Sequence, residues 1–159
     1  MPNLEWWLTQ APDLYVDRID HSSEIWPYLN NSGSAINKGA PCCLLVSGFN
    51  GIDAGIPAAN NLALFRGVWI GTIINGALSN IPNGEYGLVQ HWGMVQDDQQ
   101  VGAARVLGAA GINAAGVILQ FLAGNDYFEI SDLIAEEVIM SGEAYTTASV
   151  ALKKVWMKG

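Results

Sequence analysis

Short apolar runs alternate with glycine and asparagine turns along most of the chain after residue 38. These runs fall at residues 42–46, 65–74, 86–95, 116–122 and 150–157. They are rich in valine, isoleucine and aromatic residues, and their length and turn boundaries favour β-strands over helices. The pattern therefore predicts a mainly β fold, a small β-barrel or sandwich-like knob.

The run that begins at Phe65 is apolar on both sides. A regular alternation places Phe65 and Trp69 on one face, and Val68 and Ile70 on the other. Gly67 lies between these large residues, and a glycine inside a strand often marks a bend or a close approach of backbone. We therefore expect this strand to lie between two layers or two subunits.

Two segments are predicted to form short helices. Residues 99–110 are rich in alanine, although Gly102 and Gly108 interrupt them. Residues 131–139 begin with Ser131, a residue suited to cap a helix N-terminus, and acidic residues follow it. The expected helical content is therefore minor.

Residues 1–37 differ from the rest and are predicted to form an N-terminal arm or extension. Prolines and polar residues interrupt any regular period there, and residues 30–34, Asn-Asn-Ser-Gly-Ser, are typical of a turn or linker. The alternative is that the segment supplies a first pair of strands to the core. The expected division is an arm at 1–37 and a β-rich domain at 38–159.

The composition indicates an oligomer. Charged residues make up 14% of the chain and hydrophobic residues 50%, whereas an ordinary soluble domain is about 25% charged. So few charges leave apolar surface that a second subunit would cover, and a homotrimer is the expected state.

The net charge of −8 makes nucleic acid an unlikely class of partner, because binding to phosphates needs clustered basic residues. Lys153 and Lys154 are the one adjacent basic pair in the sequence. No apolar run is long enough to span a bilayer, and the first residues lack the features of a signal peptide, so we expect no membrane partner and folding in a host cytoplasm. Cys42 and Cys43 are adjacent, would point to opposite faces of a strand, and are expected to be buried free thiols.

No motif for chemistry emerges from the sequence. It has no phosphate-binding loop, no dinucleotide fingerprint and no Gly-x-Ser-x-Gly nucleophile elbow. The two histidines, His21 and His91, are far apart in sequence, and metal ligation needs several converging side chains. We therefore expect no enzyme activity, no cofactor and no metal.

Three segments resemble small structural proteins that decorate the capsids of tailed bacteriophages. Residues 84–93 read GEYGLVQHWG, and they resemble a strand that those proteins pair with an earlier strand, here LFRGV at residues 64–68. A closing strand, KKVWM at residues 153–157, completes the resemblance, which leaves out residues 1–34.

This resemblance implies a β-rich and often trimeric cement protein on the outside of the virion, clamping neighbouring major capsid subunits. Two alternatives stay open. One is another phage structural β-domain, from a tail or head fibre, and the other is a small-ligand-binding β-barrel.

Candidate interface residues are large aromatic side chains and one polar neighbour, because tryptophan and tyrosine dominate binding hot spots. In the N-terminal segment they are Trp6, Trp7 and Trp26, and in the strand at 86–95 they are Tyr86, Gln90 and Trp92. A polar Gln90 among large apolar residues fits a subunit seam, where it could form hydrogen bonds across the interface. Plain core packing is the alternative for this strand.

Overall fold

The computed structural model describes residues 24–95, 104–131 and 139–157. Of these described residues, 50% are in strands and 3% in helix, so the predicted mainly β fold is confirmed. The strands are β1 Glu24–Asn30, β2 Pro41–Leu44, β3 Asp53–Gly55, β4 Phe65–Ile74, β5 Ala77–Ser79, β6 Tyr86–Val95, β7 Ala104–Leu107, β8 Leu119–Phe121, β9 Phe128–Ile130, β10 Ile139–Ser141, β11 Val150–Lys153 and β12 Val155–Met157. A 3₁₀ helix at Leu62–Leu64 leads directly into β4.

Five strands close into a β-barrel, in the order β6, β1, β3, β2 and β4, with β4 returning to β6. β1 runs parallel to β3, and the other neighbours in the barrel are antiparallel. Closure removes the exposed edges that these strands would otherwise present. The barrel prediction is therefore confirmed.

β1 corrects the arm predicted at residues 1–37. Glu24–Asn30 lies between β6 and β3, Tyr28 is buried in the barrel, and Ile36 forms an isolated bridge with Ile81. Residues 24–37 therefore belong to the core, as the alternative interpretation held, although the described part of the segment supplies one strand and not a pair. The strand was hidden in the sequence because Pro27 and polar neighbours break its apolar pattern. Residues 1–23 of the predicted arm, with Trp6 and Trp7, lie outside the described residues.

Large side chains fill the barrel interior. The buried cluster there consists of Tyr28, Ile36, Ala40, Cys42, Leu44, Ala54, Trp69, Ile81 and Val89. The indole of Trp69 is fully buried, and its Nε1 donates a hydrogen bond to the carbonyl of Gly55 at 3.3 Å. A Cβ at Gly87 would lie 2.8 Å from the Trp69 ring and 2.7 Å from Ile81, so glycine is needed beside the ring.

A second sheet covers one side of the barrel, with strand order β11, β7, β9 and β8. The core between them holds Val68, Ile70, Leu88, Val95, Ala104, Val106, Ile112, Leu119, Phe128, Ile139, Val155 and Met157. Arg105 of β7 also ties the two parts together, because its backbone N–H donates to the carbonyl of Gly39 at 2.7 Å. Its side chain pairs at 3.3 Å with Asp126, which accepts a hydrogen bond from Asn37 at 2.8 Å. The burial of this apolar surface stabilises the packing of sheet on barrel.

β4 lies between the two cores, which confirms the prediction of apolar layers on both of its faces. The predicted division of its faces is confirmed for Trp69, which lies opposite Val68 and Ile70, but it is wrong for Phe65. Trp69 packs inside the barrel, whereas Phe65 packs with Val68 and Ile70 in the second core. The register of β4 against β2 shifts between Phe65 and Gly67, and a second shift against β6 lies between Trp69 and Gly71. A bulge of this kind moves a side chain, here that of Phe65, to the other face of the strand.

The helix predicted at residues 99–110 is also corrected, because residues 104–107 form β7. Ala104 and Val106 are buried while Arg105 and Leu107 are half-buried, which is the two-residue period of a strand. Residues 99–103 lie outside the described residues. Of the helix predicted at 131–139, Ser131 is irregular, Ile139 begins β10, and residues 132–138 also lie outside.

Both cysteines are free and buried, as predicted. Cys42 faces the barrel core. Burial raises the pKa of the Cys43 thiol to about 12 and raises the pKa of Cys42 well above its usual value. Both are therefore protonated at neutral pH, and a thiol is a poor nucleophile.

Candidate functional site

Two of the predicted interface residues, Trp26 and Trp92, meet at the end of the barrel where β1 begins. Glu24 brings them together. The indole Nε1 of Trp26 donates a hydrogen bond to Oε1 of Glu24, and Nε1 of Trp92 donates to Oε2 at 2.9 Å. The register shift between Glu24 and Ile25 is what places Glu24 opposite Trp92 on β6.

The Glu24 carboxylate is held in its charged form. Hydrogen bonds from Trp92 and then Trp26 are the main causes that lower the pKa of Glu24, and the nearby His91 lowers it further. A carboxylate that accepts hydrogen bonds is favoured over the neutral acid. The negative charge of Glu24 is therefore a constant feature of this end of the barrel at neutral pH.

His91 lies between two aromatic rings of β1. Its ring centroid is 6.5 Å from that of Trp26, with the planes 24° apart, and 5.5 Å from that of Tyr28. The Tyr28 hydroxyl and His91 Nε2 are hydrogen-bonded at 3.0 Å, with the donor set by the imidazole tautomer. Burial lowers the pKa of His91, and Arg66 lowers it further while Glu24 opposes this. The imidazole is therefore mainly neutral at pH 7.

Together, Glu24, Trp26, His91 and Trp92 form a surface that we call the end face, and the buried Tyr28 supports it through His91. Trp26 is its most prominent member because 52% of the residue is exposed. Its indole is nevertheless held at two points, by Glu24 and by the His91 ring. The end face is thus an exposed aromatic side chain in a fixed orientation beside a negative charge.

Gln90 and Tyr86, two further predicted interface residues, lie elsewhere. Gln90 is fully buried, and its Nε2 donates to the backbone carbonyl of Trp92 at 2.9 Å. This corrects its assignment to an exposed seam, because a partner cannot reach its side chain in the folded chain. Tyr86 is half-buried and packs against the second core, so core packing describes this part of β6 better.

Sequence reasoning missed Glu24, Tyr28 and His91 as members of the site. Glu24, Trp26 and Tyr28 follow one another at every second position, so a strand would place them on one face. That signal was available, but the segment was interpreted as an arm. The pairing of residues 24–28 with residues 87–92 has no local signal in the sequence.

The part of the chain that the structure describes contains neither a cluster of metal ligands nor a membrane-spanning helix. No three histidine, cysteine or acidic side chains there converge on a point that could hold a metal ion. None of the helices among these residues is both long and apolar enough to cross a membrane.

The fold and the end face define a class: a small, filled β-barrel with a covering sheet and an exposed aromatic anchor. No protein-family model matches the chain, and a comparison with curated proteins finds no significant match. The segments at residues 64–68, 84–93 and 153–157, singled out in the sequence, contribute to strands that lie side by side in the fold. β4 pairs with β6 at Val68 and Gln90, and β12 pairs with β6 at Trp156 and Met94.

Proposed function

We propose that this protein is a virion structural protein that binds the outside of a tailed-phage head and stabilises contacts between major capsid subunits. The observation that carries the proposal is the orientation of Trp26 on the end face, exposed to a partner yet held by Glu24 and His91. A protein that holds capsid subunits together needs such a surface, one that is not buried within its own fold. The protein has no catalytic role in this proposal.

Preorganisation is why Trp26 suits this role. Binding costs free energy for each side chain that has to be ordered, and a side chain already fixed in the free protein avoids most of that cost. Tryptophan is also among the residues that dominate interface hot spots, with truncation to alanine costing about 2 kcal/mol or more. Trp26 therefore has both the area and the rigidity of a binding anchor.

The filled barrel argues against the small-ligand alternative. Trp69, Ile81 and their neighbours occupy the interior, and even one added methyl at Gly87 would collide with them. A lumen that holds a ligand needs empty volume or a lining of polar groups. The adjacent positions of β4, β6 and β12, the three strands that carry the resemblance, add support to the capsid proposal.

A homotrimer is part of the proposal. Exposed large apolar residues away from the end face, such as Phe49 at 58% and Trp156 at 41%, are available for contacts between subunits. Each trimer would then present three copies of the end face. Repetition strengthens attachment to a symmetric shell because the second and third contacts form within one complex.

Co-sedimentation with phage heads tests the proposal. Heads assembled without this protein, from the phage that carries its gene, are mixed with the purified chain, with Trp26→Ala and with Trp156→Ala. The wild-type protein should bind saturably, and Trp26→Ala should weaken binding at least about 30-fold, the equivalent of about 2 kcal/mol. Trp156→Ala removes an exposed tryptophan away from the end face, and at concentrations where this variant is still trimeric it should weaken binding far less.

Two results would contradict the proposal in different ways. If wild-type protein fails to bind heads but binds tails or fibres, the protein is another kind of phage structural component. If Trp26→Ala binds heads as well as the wild type does, the end face is not the surface that contacts the shell.

A further inference from the structure

The charges around the end face favour a positive ligand. Glu24 is ionised, and the two indole N–H groups occupy only part of the acceptor capacity of its carboxylate, which is about four hydrogen bonds. The adjacent His91 is mainly neutral at pH 7, and the whole chain carries a net charge of −8. An incoming cation would therefore meet an available carboxylate.

The Trp26 ring adds a second attraction for a cation. A cation within about 6 Å of an indole ring is drawn to the negative charge of its π face. The Trp26 N–H donates to the Glu24 carboxylate, which polarises the indole and enriches its π electrons. His91 stacks on the ring, yet half of the residue stays exposed.

Arg66 is the positive group that acts on the end face from the neighbouring strand β4. Burial raises the pKa of Tyr28 and lowers that of His91, and the charge of Arg66 opposes the first shift and adds to the second. Cys42 acts on Tyr28, and Glu24 acts on both groups. Arg66 is exposed and extends from the start of β4. It would therefore repel a cationic ligand, so its removal should strengthen binding.

We propose that the end face binds an arginine side chain of a protein partner, with the guanidinium stacked on Trp26 and hydrogen-bonded to Glu24. Arginine fits better than lysine because its guanidinium is planar, stacks on aromatic rings and donates in a fork to a carboxylate. This inference rests on the proposed function, since it names the chemistry by which the end face would recognise a capsid subunit. It predicts an exposed arginine on the shell at the contact.

Binding of a blocked amino acid tests this inference without any phage component. The full-length protein is titrated with N-acetyl-arginine amide while the indole N–H signals of Trp26 and Trp92 are followed by NMR. We expect a saturable shift of the Trp26 signal with millimolar affinity. The neutral isostere N-acetyl-citrulline amide should give no saturable shift, and N-acetyl-lysine amide should bind more weakly than the arginine probe.

Matched variants locate the site. Glu24→Gln removes the charge and should weaken arginine binding at least about tenfold, because charge-assisted hydrogen bonds are roughly twice as strong as neutral ones. Arg66→Gln should strengthen binding. Lys153→Gln removes a cation that lies over the Tyr145 ring, away from the end face, and should leave the affinity unchanged.

The arginine site and the capsid role can each be contradicted without the other. Equal shifts with the arginine and citrulline probes, or no shift with either, would overturn the arginine site even if heads bind. Tighter binding of lysine than of arginine would also overturn it. Arginine binding without any attachment to heads would contradict the capsid role and leave this site intact.

Discussion

At the scale of single residues, Gly67 permits the closest approach between two barrel strands. Its φ is +140°, a conformation that residues with a Cβ rarely adopt. A Cβ at this position would lie 1.9 Å from the carbonyl oxygen of Gln90 on β6. The neighbour is backbone within a ladder, so it cannot move aside without breaking strand pairing.

Substitution of Gly67 by alanine should therefore destabilise the barrel by about 3 kcal/mol, from backbone strain and steric overlap together. Gly33→Ala is the matched control, because Gly33 also has a positive φ, +88°, but nothing lies within 4 Å of its Cβ position. That variant should cost about 1 kcal/mol. Urea unfolding measures both, and equal losses would show that the contact with Gln90 has no effect.

His91 should make stability depend on pH. Its pKa is lowered in the folded protein, so below the usual value of 6.5 the unfolded chain takes up the proton first. The stabilisation is complete above pH 6.5 and is lost as pH falls from 6.5 to the folded pKa. Glu24, whose pKa is also lowered, contributes stability that is lost only at lower pH, below 4.5.

The measurement is the midpoint of thermal unfolding at several values between pH 7.5 and 5 for the wild type and for His91→Gln. The wild type should lose more stability than the variant as pH falls through this range. His21 is present in both proteins, so it does not affect the difference. If the unfolding midpoints of the two proteins change with pH in parallel, the role assigned to His91 is refuted.

At the scale of elements, β1 is the strand on which barrel closure depends. It pairs with β6 on one side and β3 on the other. At its end, the buried Asn30 side chain donates to the carbonyls of Ser34 and Ile81, at 2.8 and 2.9 Å. Without β1, the barrel would open and both neighbours would expose unpaired backbone, which is costly.

Two deletions distinguish the contribution of β1 to folding from that of the residues before it. Removal of residues 1–34 takes away β1 and should abolish cooperative unfolding. Removal of residues 1–21 keeps the whole of β1 and should leave the β-type circular dichroism spectrum and a cooperative transition. A cooperative fold in the 1–34 deletion would show that β1 is dispensable, contrary to its position in the barrel.

At the scale of the whole molecule, two apolar cores share β4 and few charges surround them. The second core joins the covering sheet to the barrel, and the Arg105–Asp126 ion pair lies at the same junction. The exposed apolar residues Phe49, Trp156 and Ile74 remain outside both cores. Such surface in a chain with 14% charged residues favours association.

We expect native mass spectrometry to show a homotrimer of the 17.0 kDa chain at micromolar concentration. Charged substitutions at Phe49 or Trp156 should shift the distribution toward monomer if either residue lies between subunits. Trp26→Glu is the control, because the end face is proposed to contact the shell and its substitution should leave the trimer intact. A monodisperse wild-type monomer would contradict the assembly that we propose.

The sequence by itself determined the mainly β fold class, the two longest strands and the state of the cysteines. The runs at 65–74 and 86–95 coincide with β4 and β6, because strand preference depends on local composition and on turn residues. Cys42 and Cys43 are buried free thiols for a similarly local reason, since they lie in an apolar run.

Only the tertiary structure decided which strands meet. The hydrogen bond between Glu24 and Trp92 joins residues 68 positions apart, and no periodicity in the sequence specifies such a pairing. Phe65 packs on the face opposite Trp69 because the register of β4 against β2 shifts between Phe65 and Gly67, which regular alternation does not predict. Register and closure are set by contacts between distant segments, so the end face could be recognised only after the barrel was assembled.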